Sequence, residues 1–267
     1  MSYVGGKGAS GVVQTIINQQ PPHDVYVEPF LGGGAVMRAK RPAKFNCGID
    51  LDPGPISRFK EQNRPGFVFL HADSLLALDP EFASFPEGRT LIYADPPYPL
   101  SARRRNRRLY RCELTDRDHR ELLGLLVRQG ARHYVQISSY WNPLYAEMLE
   151  GWRLIRFMAN TRGGLMEECL WMNYPEPRVL HDYRFLGSNF RQRERIRRKT
   201  ARWTARIAAL PQLERMALLS AMQASTADFG GPGSRADSND GRRPGAAASA
   251  MPMVDDRSSE LAGGSAL

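Results

Sequence analysis

The sequence predicts an α/β fold whose sheet is mainly parallel and covered by helices on both faces. Three observations carry this. From Met1 to about Pro177, short β-type runs alternate with helical patterns, as βαβ units require. Four successive runs end at or just before a carboxylate, Glu28, Asp50, Asp73 and Asp95. In a parallel sheet those acids share the edge where ligands bind. A glycine-rich loop follows the first run and opens a helix.

The elements follow in order. Val25–Val27, Phe45–Ile49, Phe67–Leu70 and Thr90–Ala94 read as the first four strands, with helices around Pro53–Asn63 and Ser74–Ala83. Thr115, followed three residues later by Asp118, marks the start of a helix over Thr115–Gln129 as a variant capping box. A fifth strand is expected at Tyr134–Ile137 and a helix near Leu144–Leu149. Paired strands near Leu154–Met158 and Cys169–Asn173 complete a mixed sheet of seven. Ser188–Met222 reads as helical, broken near Pro211. From about Ser225 the chain is mostly Gly, Ser, Ala, Pro and Asp, too poor in apolar surface to offset ordering entropy, and disorder is expected. The predicted organisation is an α/β domain over residues 1–185, a basic helical extension over 186–224 and a tail over 225–267.

Bulk properties narrow the function classes. A hydrophobic share of 42% and a charged share of 24% suit a globular protein rather than a disordered one. No apolar run approaches the roughly 20 residues of a membrane span, and the N-terminus lacks a signal peptide's apolar core. Cys47, Cys112 and Cys169 lie far apart without metal-ligand spacing, which points to reduced thiols, a cytoplasmic location and no structural zinc. A monomer is expected, with no membrane partner. The net charge of +9 suits a polyanion, and it is concentrated in Arg103–Arg111 and Arg191–Arg206.

The loop Glu28-Pro29-Phe30-Leu31-Gly32-Gly33-Gly34-Ala35 allows positive φ and close approach of a ligand to the backbone. Asp50, at the end of the next strand, suits ribose hydroxyls. Both features fit a nicotinamide dinucleotide or S-adenosylmethionine, or a plain strand–helix turn with a surface acid. Asp73 reads either as an acceptor for an adenine amino group or as the N-cap of the next helix.

Asp95-Pro96-Pro97-Tyr98 directly follows the fourth strand. Its prolines fix φ and restrict the residue before them, so the segment leaves the sheet rigid and extended. That arrangement suits an exocyclic aromatic amine, whose lone pair is delocalised into its ring. If the Asp95 carboxylate and the Pro96 carbonyl accept its two hydrogens, the nitrogen can pyramidalise and attack an electrophilic methyl. Tyr98 offers a stacking face, and a base within a duplex has to be flipped out to reach it.

These residues resemble the Dam-type adenine-N6 DNA methyltransferases in three ordered motifs: Tyr3-Val4-Gly5-Gly6-Lys7, Glu28 to Ala35, and Asp95 to Tyr98. The resemblance covers Ser2 to about Tyr174. It implies a Rossmann-like S-adenosylmethionine-dependent methyltransferase fold, with S-adenosylmethionine as cofactor and DNA as partner. A companion restriction endonuclease fits the resemblance without being required by it. Tyr3 and Lys7 would border the methionine end of the cofactor, Glu28 to Gly34 would wrap it, Asp50 would hold its ribose, and Asp73 would contact its adenine. Asp95, Pro96 and Tyr98 would hold the target base.

The chain departs from the family in one respect. Only about 20 residues separate Asp73 from Asp95, room for a short helix but not for the usual target-recognition insertion. Sequence recognition then falls to other segments or is weak. One candidate is the loop of Arg103, Arg104, Arg105, Arg107, Arg108 and Arg111, where Tyr110 could stack on a base. The other is the basic helix with Arg195, Arg198 and Lys199. The plain alternative for each is a solvated charged surface. Trp141, Trp152 and Trp171 read as core or strand-face residues, His119 is assigned no chemistry, and no metal is expected. Alternatives for the chain as a whole are an RNA adenine, cytosine-N4 or protein-amide methyltransferase, or a nucleic-acid-binding module without turnover.

Overall fold

The computed structural model describes residues 11–62, 64–103, 108–161 and 164–227. The chain divides into two compact units, Met1–Ala209 and Leu210–Leu267.

The first unit holds the predicted Rossmann-like sheet. Its strands are β1 (Val25–Glu28), β2 (Phe45–Asp50), β3 (Phe67–His71), β4 (Thr90–Ala94), β5 (Tyr134–Ser139), β6 (Arg153–Thr161) and β7 (Gly164–Met172). They lie in the order β3-β2-β1-β4-β5-β7-β6. β1 to β5 are parallel, while β7 runs antiparallel to both β5 and β6. The chain builds outward from β1 to β3, then crosses back to lay β4 on the other side of β1. That reversal creates a topological switch point between β1 and β4, the position at which open α/β sheets bind ligands.

Helices α1 (Val12–Ile17), α2 (Ala35–Ala39), α3 (Pro53–Lys60), α4 (Ser74–Leu78), α5 (Asp116–Gly130) and α6 (Pro143–Met148) cover the sheet. Side chains alternate across a strand, and the two cores follow that period. Tyr26, Leu91 and Tyr93 join one core with Val12 and Ile16 of α1, Met37 of α2 and Phe59 of α3. Val25, Val27, Ile92 and Ala94 join the other with Leu78 of α4, Leu122 and Leu126 of α5 and Tyr145 of α6. β1 and β4 are buried throughout, as central strands covered on both faces must be.

The local start signals act as the sequence implies. Thr115 and Asp118 form a reciprocal capping box for α5. Asp52 and Asn142 cap α3 and α6, each followed directly by a proline. Several bounds differ from expectation. α3 ends at Lys60 and α4 at Leu78, short of the predicted Asn63 and Ala83, while β6 and β7 form a hairpin longer than predicted. α1 was not foreseen, because a six-residue helix offers too few turns for a periodic pattern. Trp171 and Trp152 join the second core, the latter partly buried, whereas Trp141 is 47% exposed in the loop after β5. A strand-face reading does not hold for that residue.

After β7 the chain returns along the sheet as an irregular strap. The His181 N–H donates to the Gln20 carbonyl, the buried Asp182 carboxylate accepts from the Arg41 N–H at 2.8 Å, and the Asn18 amide donates to the Phe185 carbonyl at 2.7 Å. Helix α7 (Phe190–Ala208) follows, capped by Asn189 and with no buried residue. The second unit contributes α8 (Gln212–Ala227), which begins after Pro211 and exposes Leu213, Met216 and Met222. No described helix is long and apolar enough to cross a membrane.

Candidate active site

The site grows out of the loop after β1. Gly32 and Gly34 take φ of 46° and 56°, in the left-handed region. At Gly34 an added Cβ would lie 2.3 Å from Phe59 Cζ, so only glycine fits. The loop is tied to the second strand by Leu31 N–H to Ile49 carbonyl at 2.9 Å and Gly32 N–H to Asp50 Oδ2 at 2.7 Å. Asp50 Oδ1 accepts from the Asp52 N–H at 2.8 Å. Pro29 is buried, and its carbonyl accepts from the Ser74 hydroxyl, joining the loop to the start of α4.

Glu28 performs a task that its loop cannot. Gly34, at the N-cap of α2, has no side chain to offer. The buried Glu28 carboxylate instead accepts from the Met37 N–H at 3.1 Å and from the Tyr26 hydroxyl at 3.0 Å. Both bonds land on Oε2, leaving Oε1 for a donor from the cleft among the described residues. Burial pushes the Glu28 carboxyl up to about 8, against the pull of the Tyr26 bond, and the charge of Asp95 adds to the rise.

Glu28, Phe30, Gly32 to Gly34, Asp50, Asp73, Asp95 and Pro97 line one cleft across the switch point, with Tyr93, Tyr110 and Arg111. It encloses about 890 Å³ including its open mouth. Among the described residues the acids on its wall are Glu28, Asp50, Asp52, Asp73 and Asp95, and its one arginine is Arg111. Burial also raises the Asp50 carboxyl, opposed by the N–H groups of Asp52 and Gly32. Such a wall favours a cation and hydroxyl groups over a pyrophosphate. Asp73 lines the cleft and also caps α4, its carboxylate accepting from the Leu75 N–H at 2.9 Å.

The tetrapeptide divides. Asp95 and Pro97 face the cleft, while Pro96 is buried and Tyr98 only 8% exposed. The Tyr98 ring packs edge-on against Tyr140 at 4.6 Å, and its hydroxyl donates to Glu168 Oε2 at 3.3 Å. An open stacking face on Tyr98 is therefore corrected. Its surroundings close over the ring, and Tyr110 is the aromatic side chain of this loop that reaches the cleft.

The first basic segment is also corrected in part. Arg103 does not face solvent. Its guanidinium makes two bonds to Glu113, at 2.9 and 2.5 Å, and one to the Tyr98 carbonyl at 2.9 Å. Both partners' side chains are buried, at 6% and 8% exposure. Burial pushes the Glu113 carboxyl up, but Arg103 and the Tyr110 and Leu109 N–H groups outweigh it and hold the group at about 2. Arg103 thus organises the loop rather than meeting phosphates. Arg111 lies 3.6 Å from Asp52, beside the glycine loop, and Arg108 is exposed. Arg195, Arg198 and Lys199 are exposed on α7. Tyr3, Lys7, Arg104, Arg105 and Arg107 lie outside the described residues.

No family model and no curated protein sequence matches this chain. Solved structures do. One is the precorrin-8w decarboxylase of Methanobacterium thermoautotrophicum, at 15% identity over 64% of this chain and 94% of that one, TM-score 0.42. Another is TrmN of Thermus thermophilus, at 19% identity over 60% and 47%, TM-score 0.43. A third is the N-methyltransferase NodS of Bradyrhizobium japonicum in complex with S-adenosyl-L-homocysteine, at 12% identity over 61% and 84%, TM-score 0.41.

Sequence reasoning missed Tyr93, Asp52, Tyr140 and Glu168. Tyr93 was within reach, since it precedes Asp95 by two residues on a strand and so shares its face. Glu168 was not, because β7 carries no local sign that it lies behind the tetrapeptide. Among the described residues no group of three His, Cys, Asp or Glu is arranged to hold a metal ion.

Proposed function

We propose that the protein transfers a methyl group from S-adenosylmethionine to the N6 amino group of an adenine in DNA. The observation that carries this reading is the shared cleft. Asp95 opens onto the same space as the glycine loop and Asp50, and among the described residues that space is lined by five acids and one arginine. A sulfonium and an ammonium suit such a wall, and a dinucleotide's phosphates do not. When bound, the cofactor supplies a methyl on a positively charged sulfur.

The residues fit that group in three ways. Gly32 and Gly34 leave bare backbone at the end of β1. Asp50, held at both oxygens by backbone N–H groups, presents a fixed acceptor to the ribose hydroxyls. Among the described residues no bond uses Glu28 Oε1, which is thus open to a cationic donor.

At the other end, the Asp95 carboxylate accepts one hydrogen of the target amine; the other falls to the Pro96 carbonyl, which base binding would have to uncover because Pro96 is buried beside the cleft. The nitrogen lone pair is thereby drawn out of the ring and aimed along the cleft. Charge that would develop on the nitrogen as it takes the methyl from the cofactor's sulfur would lie beside Asp95, which would stabilise it and take up the surplus proton. Pro97 and Tyr110 enclose the base, and Tyr98, braced by Tyr140 and Glu168, holds the tetrapeptide in place. Adenine as the base follows from the resemblance of Asp95 to Tyr98, and DNA from that resemblance together with the net charge of +9.

The test is to incubate the protein with S-adenosylmethionine and unmodified DNA, digest to nucleosides and quantify N6-methyladenine by mass spectrometry, with RNA in parallel. Methyladenine from DNA is expected. Product from RNA alone would replace the substrate, and product from neither would end the reading.

A further inference from the structure

Helix α7 presents more than a basic composition. Its 19 residues carry eight basic side chains and one acid, Glu194. At 100° per residue, Arg191, Arg195, Arg198, Lys199, Arg202 and Arg206 fall within about 100° of one another on a single face. All six are exposed. Arg198 is paired, with Glu194 at 2.7 Å. Among the described residues no carboxylate lies within ion-pair distance of the other five. The adjoining face carries Ile196, Trp203 and Ile207, and the two isoleucines are half-buried. Trp203 is 49% exposed, so the cations lie on a face distinct from a narrow and partly open apolar one.

The first turn of the helix is anchored. Arg193 donates to the Gly187 carbonyl at 3.4 Å, and a Cβ added at Gly187 would lie 2.8 Å from the Arg193 nitrogen. Asn18, which follows α1, also donates to the Gly187 carbonyl, at 3.3 Å. The cationic stripe thus begins at a point fixed to the α/β unit.

We infer that this stripe binds the sugar–phosphate backbone of the substrate duplex without reading bases. The inference rests on the proposal that the substrate is DNA. Apart from the adjacent Arg198 and Lys199, successive cations on the stripe are spaced by about one helical turn, and its whole length is about 22 Å. Duplex DNA presents a phosphate on each strand every 3.4 Å or so along its axis, so the stripe matches roughly six base pairs. Side chains that meet only phosphates position a protein and carry no sequence information. A membrane surface fits less well, because a helix lying on lipid needs a broad apolar face, and here that face is narrow, formed by Ile196, Trp203 and Ile207.

The test measures binding of the full chain to a labelled duplex by fluorescence anisotropy, from about 50 to 300 mM salt. The variants are R191Q/R195Q/R198Q/K199Q/R202Q/R206Q, a milder R195Q/K199Q/R202Q, and R191K/R195K/R198K/R202K/R206K. Glutamine is nearly as good a helix former as arginine, and circular dichroism checks the fold. The six-site variant is expected to bind at least about tenfold more weakly at low salt, with a log–log salt slope shallower by about 4 to 5. The three-site variant should lose about half of that slope, and the lysine variant should bind as the parent does. Unchanged affinity and slope in the glutamine variants would overturn the inference. So would loss of binding to anionic lipid vesicles with duplex binding intact. Stripe-dependent binding without any methyladenine would uphold the inference and sink the proposed function. Methyladenine formation with stripe-independent binding would do the reverse.

Discussion

The Tyr98 hydroxyl donates to the Glu168 carboxylate across 3.3 Å, joining the loop after β4 to the middle of β7. Both residues are buried, so the bond fixes the tyrosine ring from behind while Asp95 faces the cleft. Tyr98→Phe is expected to cost about 1 kcal/mol of stability and to lower kcat/KM for DNA. Glu168→Gln keeps an acceptor oxygen and should stay closer to the parent. Urea denaturation and steady-state kinetics check both, and equal losses in the two variants would contradict the role assigned to the bond.

Asp95→Asn tests the chemistry. The amide is nearly isosteric, but half of it donates where the target amine needs an acceptor. Turnover should fall at least about a hundredfold, as when one preorganised transition-state contact is lost. Cofactor binding, followed by calorimetry, should change far less.

Two glycines should respond with opposite signs. Gly34→Ala forces a Cβ against Phe59 at a left-handed φ and should cost about 1 to 3 kcal/mol. Gly124 lies within α5, and a Cβ there meets nothing within 4 Å. Gly124→Ala should stabilise by about 0.5 to 1 kcal/mol. Denaturant midpoints decide both.

Glu28 makes a prediction about pH. Its carboxyl stands at about 8 in the folded protein, against 4.5 ordinarily. Between those values the folded state holds a proton that the unfolded state has lost, so this group's contribution to stability declines as pH rises from 4.5 to 8. Glu28→Gln should remove that decline, seen as the difference between parent and variant in urea midpoints at pH 5 and pH 8. In the parent, affinity for the cationic cofactor should rise with pH through about 8, as the carboxyl becomes charged.

The Arg103–Glu113 pair is buried on both sides. Glu113→Gln removes the carboxylate charge that faces this guanidinium and is expected to cost about 3 kcal/mol or more. Proteolysis within Arg103–Arg111 should accelerate in step. A loss below about 0.5 kcal/mol, typical of an exposed pair, would show that the pair opens readily.

Glu28, Asp50, Asp73 and Asp95 could be placed at strand ends from the sequence alone. A strand, a glycine turn and a proline-stiffened exit are each written within a few residues, through φ preferences and side-chain period. The same holds for the capping box at Thr115 and for the break at Pro211. None of these signals states which strand lies beside which. The return of β4 to the flank of β1 brings Glu28 and Asp95 to one cleft, and it follows from packing helices on both faces of the sheet. The burial of Tyr98, the capture of Arg103 by Glu113 and the place of Glu168 behind the tetrapeptide were likewise decided only in three dimensions. Each depends on contacts between segments far apart in the chain, whereas the sequence speaks directly only for neighbours.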